Sequence, residues 1–244
     1  VNADVLVICA HPDDAELSCG GTVKKLTNEG RVVVFVECTR AELGTRGTPE
    51  IREAEAAAAA AILGVHAREQ LGIPDGGVEN TLENAHKLVS VIRAWKPSML
   101  LIPSEFERHP DHEAVHVLSR RAAFLSGLIK ITTHHNGIEQ EPHRPKRMVC
   151  YQQFYDFPGG PDLYVDISDT FSDKMRAIRA FASQFHVPDS YTSNEPETLL
   201  SRPDFLDSIE ARERYYGSRI GSAFAEGFKT VEPLGLQSLS QLLP

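Results

Sequence analysis

The chain has 244 residues, with 34 acidic and 25 basic side chains and a formal net charge of −9. That length suits one α/β unit with additions, and 41% hydrophobic residues can build a core without disulfide staples. The acidic balance argues against a general nucleic-acid binder or a partner of anionic membranes, although a local arginine can still hold a small anion.

The run Asp4-Val5-Leu6-Val7-Ile8-Cys9 reads as a buried parallel strand. Ala10-His11-Pro12-Asp13-Asp14 follows at once. A His and two carboxylates therefore fall at a strand's carboxyl end, where open α/β sheets bind ligands. A helix over about 15–29 ends at Gly30. A second strand covers 31–38, and a loop rich in Gly and Thr runs from Thr39 to Pro49. The next helix, about 50–63, contains the run Ala56 to Ala61 and stops at Gly64; alanine favours helix and permits close approach, so it is expected to press on the sheet. A short strand near 68–71 precedes the turn Pro74-Asp75-Gly76-Gly77. A helix near 80–95 ends before Pro97.

Strand 98–103, with Met99-Leu100-Leu101-Ile102-Pro103, leads to a second polar cluster, His109-Pro110-Asp111-His112, at the start of a helix running to about 126. The alternation predicts right-handed βαβ units and a Rossmann-like α/β fold, its mostly parallel sheet flanked by helices. Residues 131–146 read as an exposed loop. Short strands near 147–153 and 163–166, and helices near 168–185 and 204–223, form a C-terminal extension of the same sheet. Residues 1–244 are thus read as a single domain. Cys9, Cys19, Cys38 and Cys150 form no CxxC pair and are expected as reduced thiols. The first residues carry no secretory-signal pattern, and no apolar stretch reaches bilayer length. A cytoplasmic protein is expected.

Both polar clusters follow apolar strands and both contain His-Pro-Asp, so they suit one shared metal ion. A catalytic zinc takes three protein ligands and keeps one position open. His11, Asp14 and His112 are assigned as ligands, a donor set that Fe2+ would also accept. Asp13 is left beside the ion as general base for the attacking water. His109, three residues before His112, can face the substrate, to hold an oxyanion or to protonate the leaving amine. Asp111 is read as holding one ring nitrogen of His109. Taken singly, Asp13 and Asp14 could be helix-start acids, and the two histidines surface residues. His112-Glu113-Ala114-Val115-His116 also matches the H-E-x-x-H peptidase helix, with His112 and His116 as ligands and Glu113 as base. The α/β setting is foreign to that motif, which leaves the first cluster unexplained. A non-catalytic sugar- or nucleotide-binding module on the same fold is the third reading.

The paired clusters resemble the LmbE-like (PIG-L) zinc deacetylase superfamily. The likeness continues through Thr39 to Thr48, with Glu42 and Gly44, and through Ile51-Arg52-Glu53. The stretches Tyr215 to Arg219 and Ala225 to Phe228 are similar to the branch that deacetylates N-acetylglucosaminyl malate in bacillithiol biosynthesis. The resemblance implies one Zn2+ per subunit on His11, Asp14 and His112, with Asp13 as base and His109 as the polarising histidine. It implies hydrolysis of the acetamide of a small amino-sugar substrate, N-acetylglucosaminyl malate in that branch. A related activity cleaves amides of thiol-sugar conjugates. Arg52 is implied as a binder of substrate carboxylate, whereas a bare helix arginine there would pair with Glu53 or Glu55. Glu42 is implied at the sugar hydroxyls and Tyr191 as a loop tyrosine assisting the oxyanion. Members are commonly oligomeric, which implies a homo-oligomer.

Overall fold

In chain order the elements are β1 (Val5–Cys9), α1 (Asp14–Asn28), β2 (Val33–Glu37), α2 (Pro49–Leu63), β3 (Ala67–Gln70), α3 (Leu82–Trp95), β4 (Met99–Pro103) and α4 (Pro110–Ser126). After them come β5 (His134–His135), β6 (Ile138–Glu139), β7 (Arg147–Tyr151), β8 (Leu163–Asp166), α5 (Phe171–Arg179), α6 (Phe205–Ile220) and β9 (Ala225–Thr230). The computed structural model describes residues 1–135, 137–187 and 195–238. Among the described residues no helix is long and apolar enough to cross a membrane.

Seven strands form one sheet in the order β3-β2-β1-β4-β7-β9-β8. The first five run parallel, while β9 is antiparallel to both of its neighbours. The central strands β1, β2 and β4 read as near-continuous apolar runs because both faces are covered. Val5, Val7 and Cys9 enter one core with α1, α2, α5 and α6, whereas Leu6, Ile8 and Ala10 enter another with α3 and α4. Each large aliphatic side chain so buried contributes about 1.5–3 kcal/mol. From β1 the chain first builds outward to β2 and β3; β4 then returns to the other side of β1, in register from Val5 against Met99. Strand order thus reverses between β1 and β4. Their carboxyl ends, which lead into His11 and towards His112, flank the crevice where such sheets bind ligands.

The expected alternation holds through α4, with boundaries shifted by a residue or two. The alanine-rich helix departs from expectation. Of the run Ala56 to Ala61 only Ala56 and Ala59 are buried, and α2 packs chiefly on α5 rather than on the sheet. Residues 131–146 include a small hairpin, β5 paired with β6. β9 was not anticipated, since Gly227 interrupts its pattern and it follows α6 after only a short turn.

Helix α1 is broken at Cys19, where φ is −140°. The break frees the amides of Gly21 and Thr22, which donate to the two carboxylate oxygens of Glu226 at 2.9 and 2.8 Å. Lys174, fully buried, bridges Glu226 and Glu213 at 2.7 and 2.8 Å. Arg212 ties Glu213 to the carbonyls of Leu17 and Gln153. This buried network fixes the direction of the first turns of α1, which carry Asp14. Breaking it from one side would leave an uncompensated buried charge, at a cost of about 3–5 kcal/mol.

Gly217 lets α6 meet its own exit. A Cβ there would lie 2.7 Å from the Ser222 carbonyl oxygen and 2.8 Å from the Phe224 nitrogen, both backbone atoms. Gly217→Ala is expected to destabilise the protein by about 1–3 kcal/mol through overpacking. A urea titration reads this as a lowered midpoint, and an unchanged midpoint would show that the α6 exit accommodates a methyl group.

Candidate active site

His11 sits in the turn between β1 and α1, Asp14 is the first residue of α1, and His112 lies in the first turn of α4. Asp14 Oδ2 accepts the amides of Ala10 and His11 at 3.0 and 2.8 Å, which closes the turn and leaves Oδ1 directed at the crevice. His112 Nε2 lies 3.3 Å from His11 Nδ1 and 3.4 Å from Asp14 Oδ1. A tetrahedral ion with bonds of about 2.0–2.1 Å separates its ligands by about 3.3–3.4 Å. Two of the three separations match that spacing; the third, from His11 Nδ1 to the nearer Asp14 oxygen, Oδ2, is 3.6 Å.

The outer side of His11 supports the same arrangement. Its Nε2 faces Asp75 Oδ1 at 3.0 Å and Asp111 Oδ2 at 3.4 Å. Those carboxylates hold the proton on Nε2 and leave the Nδ1 lone pair pointing at His112. Although burial opposes it, the bonds to Asp111, Asp14 and Asp75 raise the His11 pKa well above its usual value. Burial alone would push the Asp14 carboxyl up, but the charge of His112 and the bonds to both histidines hold it well below the usual range.

Asp13 stands apart from this triad. It is buried and sits in the left-handed region at φ 105°, a conformation that costs a non-glycine residue about 1–3 kcal/mol. The strained turn points the two adjacent carboxylates in different directions. Burial pushes the Asp13 carboxyl up to about 7, against the opposing pull of Arg52. Arg52 is brought there by α2, whose first turn is capped by Thr48 on the Ile51 amide and opened by Pro49. It is buried, and its Nη2 donates to Asp13 Oδ2 at 2.8 Å and to the Pro12 carbonyl at 3.2 Å. The exposed pairing with Glu53 or Glu55 is therefore not what forms.

His109 is the N-cap of α4. Its Nδ1 accepts the Asp111 amide at 3.2 Å, which places the ring proton on Nε2. The ring stacks on His112 at 4.9 Å between centroids. Burial, then the neighbouring His11 and His112, lowers its pKa, so neutral His109 presents an N–H donor. Here the expected role of Asp111 is corrected. Only its backbone amide serves His109; its carboxylate accepts from Gly76 and Val78 and faces His11.

Glu42 is corrected as well. It is exposed, and its two oxygens accept the amides of Asp75 and Arg40. It braces the loop after β2 against the turn carrying Asp75, and it does not line the cavity. Tyr191 lies outside the described residues. His116, the second ligand of the peptidase reading, points away from the crevice; its Nδ1 donates to the Pro103 carbonyl at 2.9 Å. Glu113 accepts the Glu107 amide instead of facing a metal. All four cysteines are free and buried.

The triad, Asp13, Arg52 and His109 line one cavity of about 340 Å3. Apolar side chains complete the lining, among them Leu17, Leu199, Leu200, Phe205 and Ile209. Of the polar lining residues that escaped sequence reasoning, Asp75 and Gln153 touch His11 and Asp14 directly. Asp75 registered only as turn chemistry. Gln153, which follows β7, donates its side-chain amide to Asp14 Oδ1. Its position just beyond a parallel strand was the available signal.

Comparison with known proteins identifies the family. Residues 6–123 match the PIG-L family, described as GlcNAc-PI de-N-acetylase. The chain is 32% identical over 243 residues to diacetylchitobiose deacetylase of Thermococcus kodakarensis, covering 93% of this chain and 82% of the relative. It is 28% identical over 229 residues to 1D-myo-inositol 2-acetamido-2-deoxy-alpha-D-glucopyranoside deacetylase of Actinosynnema mirum, covering 75% of this chain and 81% of the relative. The crystal structure of a conserved protein from Thermus thermophilus superposes with a TM-score of 0.85 at 35% identity, covering 98% of this chain and 99% of that one. The chain belongs to the PIG-L (LmbE-like) family and is a deacetylase, a hydrolase acting on an amide C–N bond.

Proposed function

We propose that this deacetylase removes the acetyl group from an N-acetylglucosamine unit, using one Zn2+ held by His11, Asp14 and His112. The observation that carries the reading is the separation of roles between adjacent carboxylates: Asp14 and His11 each lie within 3.4 Å of His112 Nε2, while the carboxylate of Asp13 pairs with Arg52. When bound, zinc supplies Lewis acidity toward the acetamide carbonyl and toward water. Asp13 accepts the proton of the attacking water and returns it to the departing nitrogen. Arg52 keeps that carboxylate in place. His109 donates its Nε2–H to the carbonyl oxygen as negative charge builds there. Atoms balance as one water consumed, one acetate and one amine released.

Substrates in the relatives' names differ beyond the acetylated sugar, so family membership leaves the aglycone open. For the malate conjugate implied by the resemblance, the cavity lining offers one guanidinium besides Arg52, that of Arg108. The test is an acetate- and amine-release assay on N-acetylglucosamine, its disaccharide, its malate conjugate and acetylated peptides. We expect equimolar acetate and amine from the sugars alone, lost with chelator and restored by Zn2+. Turnover that persists without divalent metal, or that is confined to peptides, would overturn the reading.

A further inference from the structure

At the edge of the cavity three partly exposed aromatic side chains lie together. Phe106, Phe154 and Tyr155 are 50%, 43% and 40% exposed. Phe106 stacks on Tyr155 at 5.2 Å between centroids, and Phe154 meets Tyr155 edge-on at 5.9 Å. Phe154 also lines the cavity, so the cluster is continuous with the site. The two loops that carry the rings are held by one buried carboxylate. Glu107 accepts the amides of Phe154 at 2.7 Å, of Arg108 at 2.8 Å and of Tyr155 at 3.3 Å. Arg108 lies over the Phe154 ring, its Cζ 5.0 Å from the centroid.

Adjoining exposed aromatic rings are costly to leave in water, and beside a cavity they mark a binding surface. The face of an aromatic ring is electronegative. The C–H bonds on one face of a pyranose are apolar and slightly positive, so a sugar ring seats on such a surface. A small carboxylate aglycone would use Arg108 but leave Phe106 and Tyr155 uncovered. We propose that these rings are a subsite for a second pyranose, so that this enzyme prefers an N-acetylglucosamine unit linked to another sugar. The proposal rests on the deacetylase reading and names the substrate class of that same site.

The test compares kcat/KM for N,N'-diacetylchitobiose and for N-acetylglucosamine in zinc-loaded wild type and in the Phe106→Ala/Tyr155→Ala double variant. The disaccharide-to-monosaccharide ratio should fall about tenfold, through KM rather than kcat. Tyr155→Phe, which keeps the ring, should retain the wild-type ratio. Calorimetric titration of the disaccharide into zinc-loaded Asp13→Asn protein, with and without the double substitution, reads the subsite without turnover. Wild type that turns over neither sugar would sink the deacetylase reading, while calorimetry would still decide the subsite. An unchanged ratio, or an equal fall with both sugars, would overturn it. So would a smaller oligomeric state of the double variant in sedimentation, which would assign the rings to contact between copies.

Discussion

Asp13→Asn is expected to leave the protein folded and metal-loaded while lowering kcat by about two to four orders of magnitude, the range for losing a positioned general base. The choice of asparagine is dictated by the backbone. At φ 105° alanine would be strained, whereas asparagine tolerates the left-handed region. Its side-chain oxygen can still accept from Arg52, which donates at 2.8 Å to the native carboxylate. What the amide cannot do is take a proton from water and hand it back. Arg52 loses the charge of its partner but keeps the Pro12 carbonyl at 3.2 Å, so a stability loss of about 1–3 kcal/mol is expected. Metal content by mass spectrometry, a melting curve and steady-state kinetics separate these effects. A variant within tenfold of wild type in kcat would remove Asp13 from the chemistry. Loss of the metal together with activity would instead make it a ligand.

The prominence of Asp13 in sequence, and the obscurity of its neighbours, have the same origin. Strand β1 and strand β4 are buried on both faces, so their apolar runs stand out, and polar residues directly behind them fall at the sheet's carboxyl edge. His11, Asp14 and His112 were legible for that reason. Asp75 and Gln153 reach the same crevice from a turn and from the end of β7, where a single polar residue looks like any other. The carboxylate of Asp111 was assigned to the nearer histidine in sequence. It serves His11 because the amides of Gly76 and Val78, some thirty residues upstream, hold it there. Glu42 was misplaced for a similar reason, since its partner is the Asp75 amide on another loop. The alanine face of α2 meets α5, which lies more than a hundred residues later. Local pattern reports which groups are polar and where a strand ends. It does not report which distant amides or helices those groups will meet.

The metal assignment is open to a graded test, and Asp14→Asn is its sharpest member. In the native turn Oδ2 is committed to the amides of Ala10 and His11. An asparagine must keep its oxygen on those donors to preserve the turn, so its NH2 is forced toward His112, into the position a cation would take. The Gln153 amide, now facing a donor, can turn over to present its Oε1, a buried atom that lacks a partner in the native arrangement. The fold should therefore survive while zinc affinity falls by more than about a hundredfold, beyond the 10–100-fold usual for a residue that merely supports a ligand. Asp75→Asn should fall within that 10–100-fold range, because it weakens only the bond that orients His11 at 3.0 Å. His116→Ala should leave affinity unchanged and cost about 1–3 kcal/mol of stability through the unpaired Pro103 carbonyl. Competition titration against a chromogenic chelator ranks the three variants directly. A reversed order, with His116→Ala losing the metal and Asp14→Asn keeping it, would move the ion onto the face of α4 and restore the peptidase arrangement.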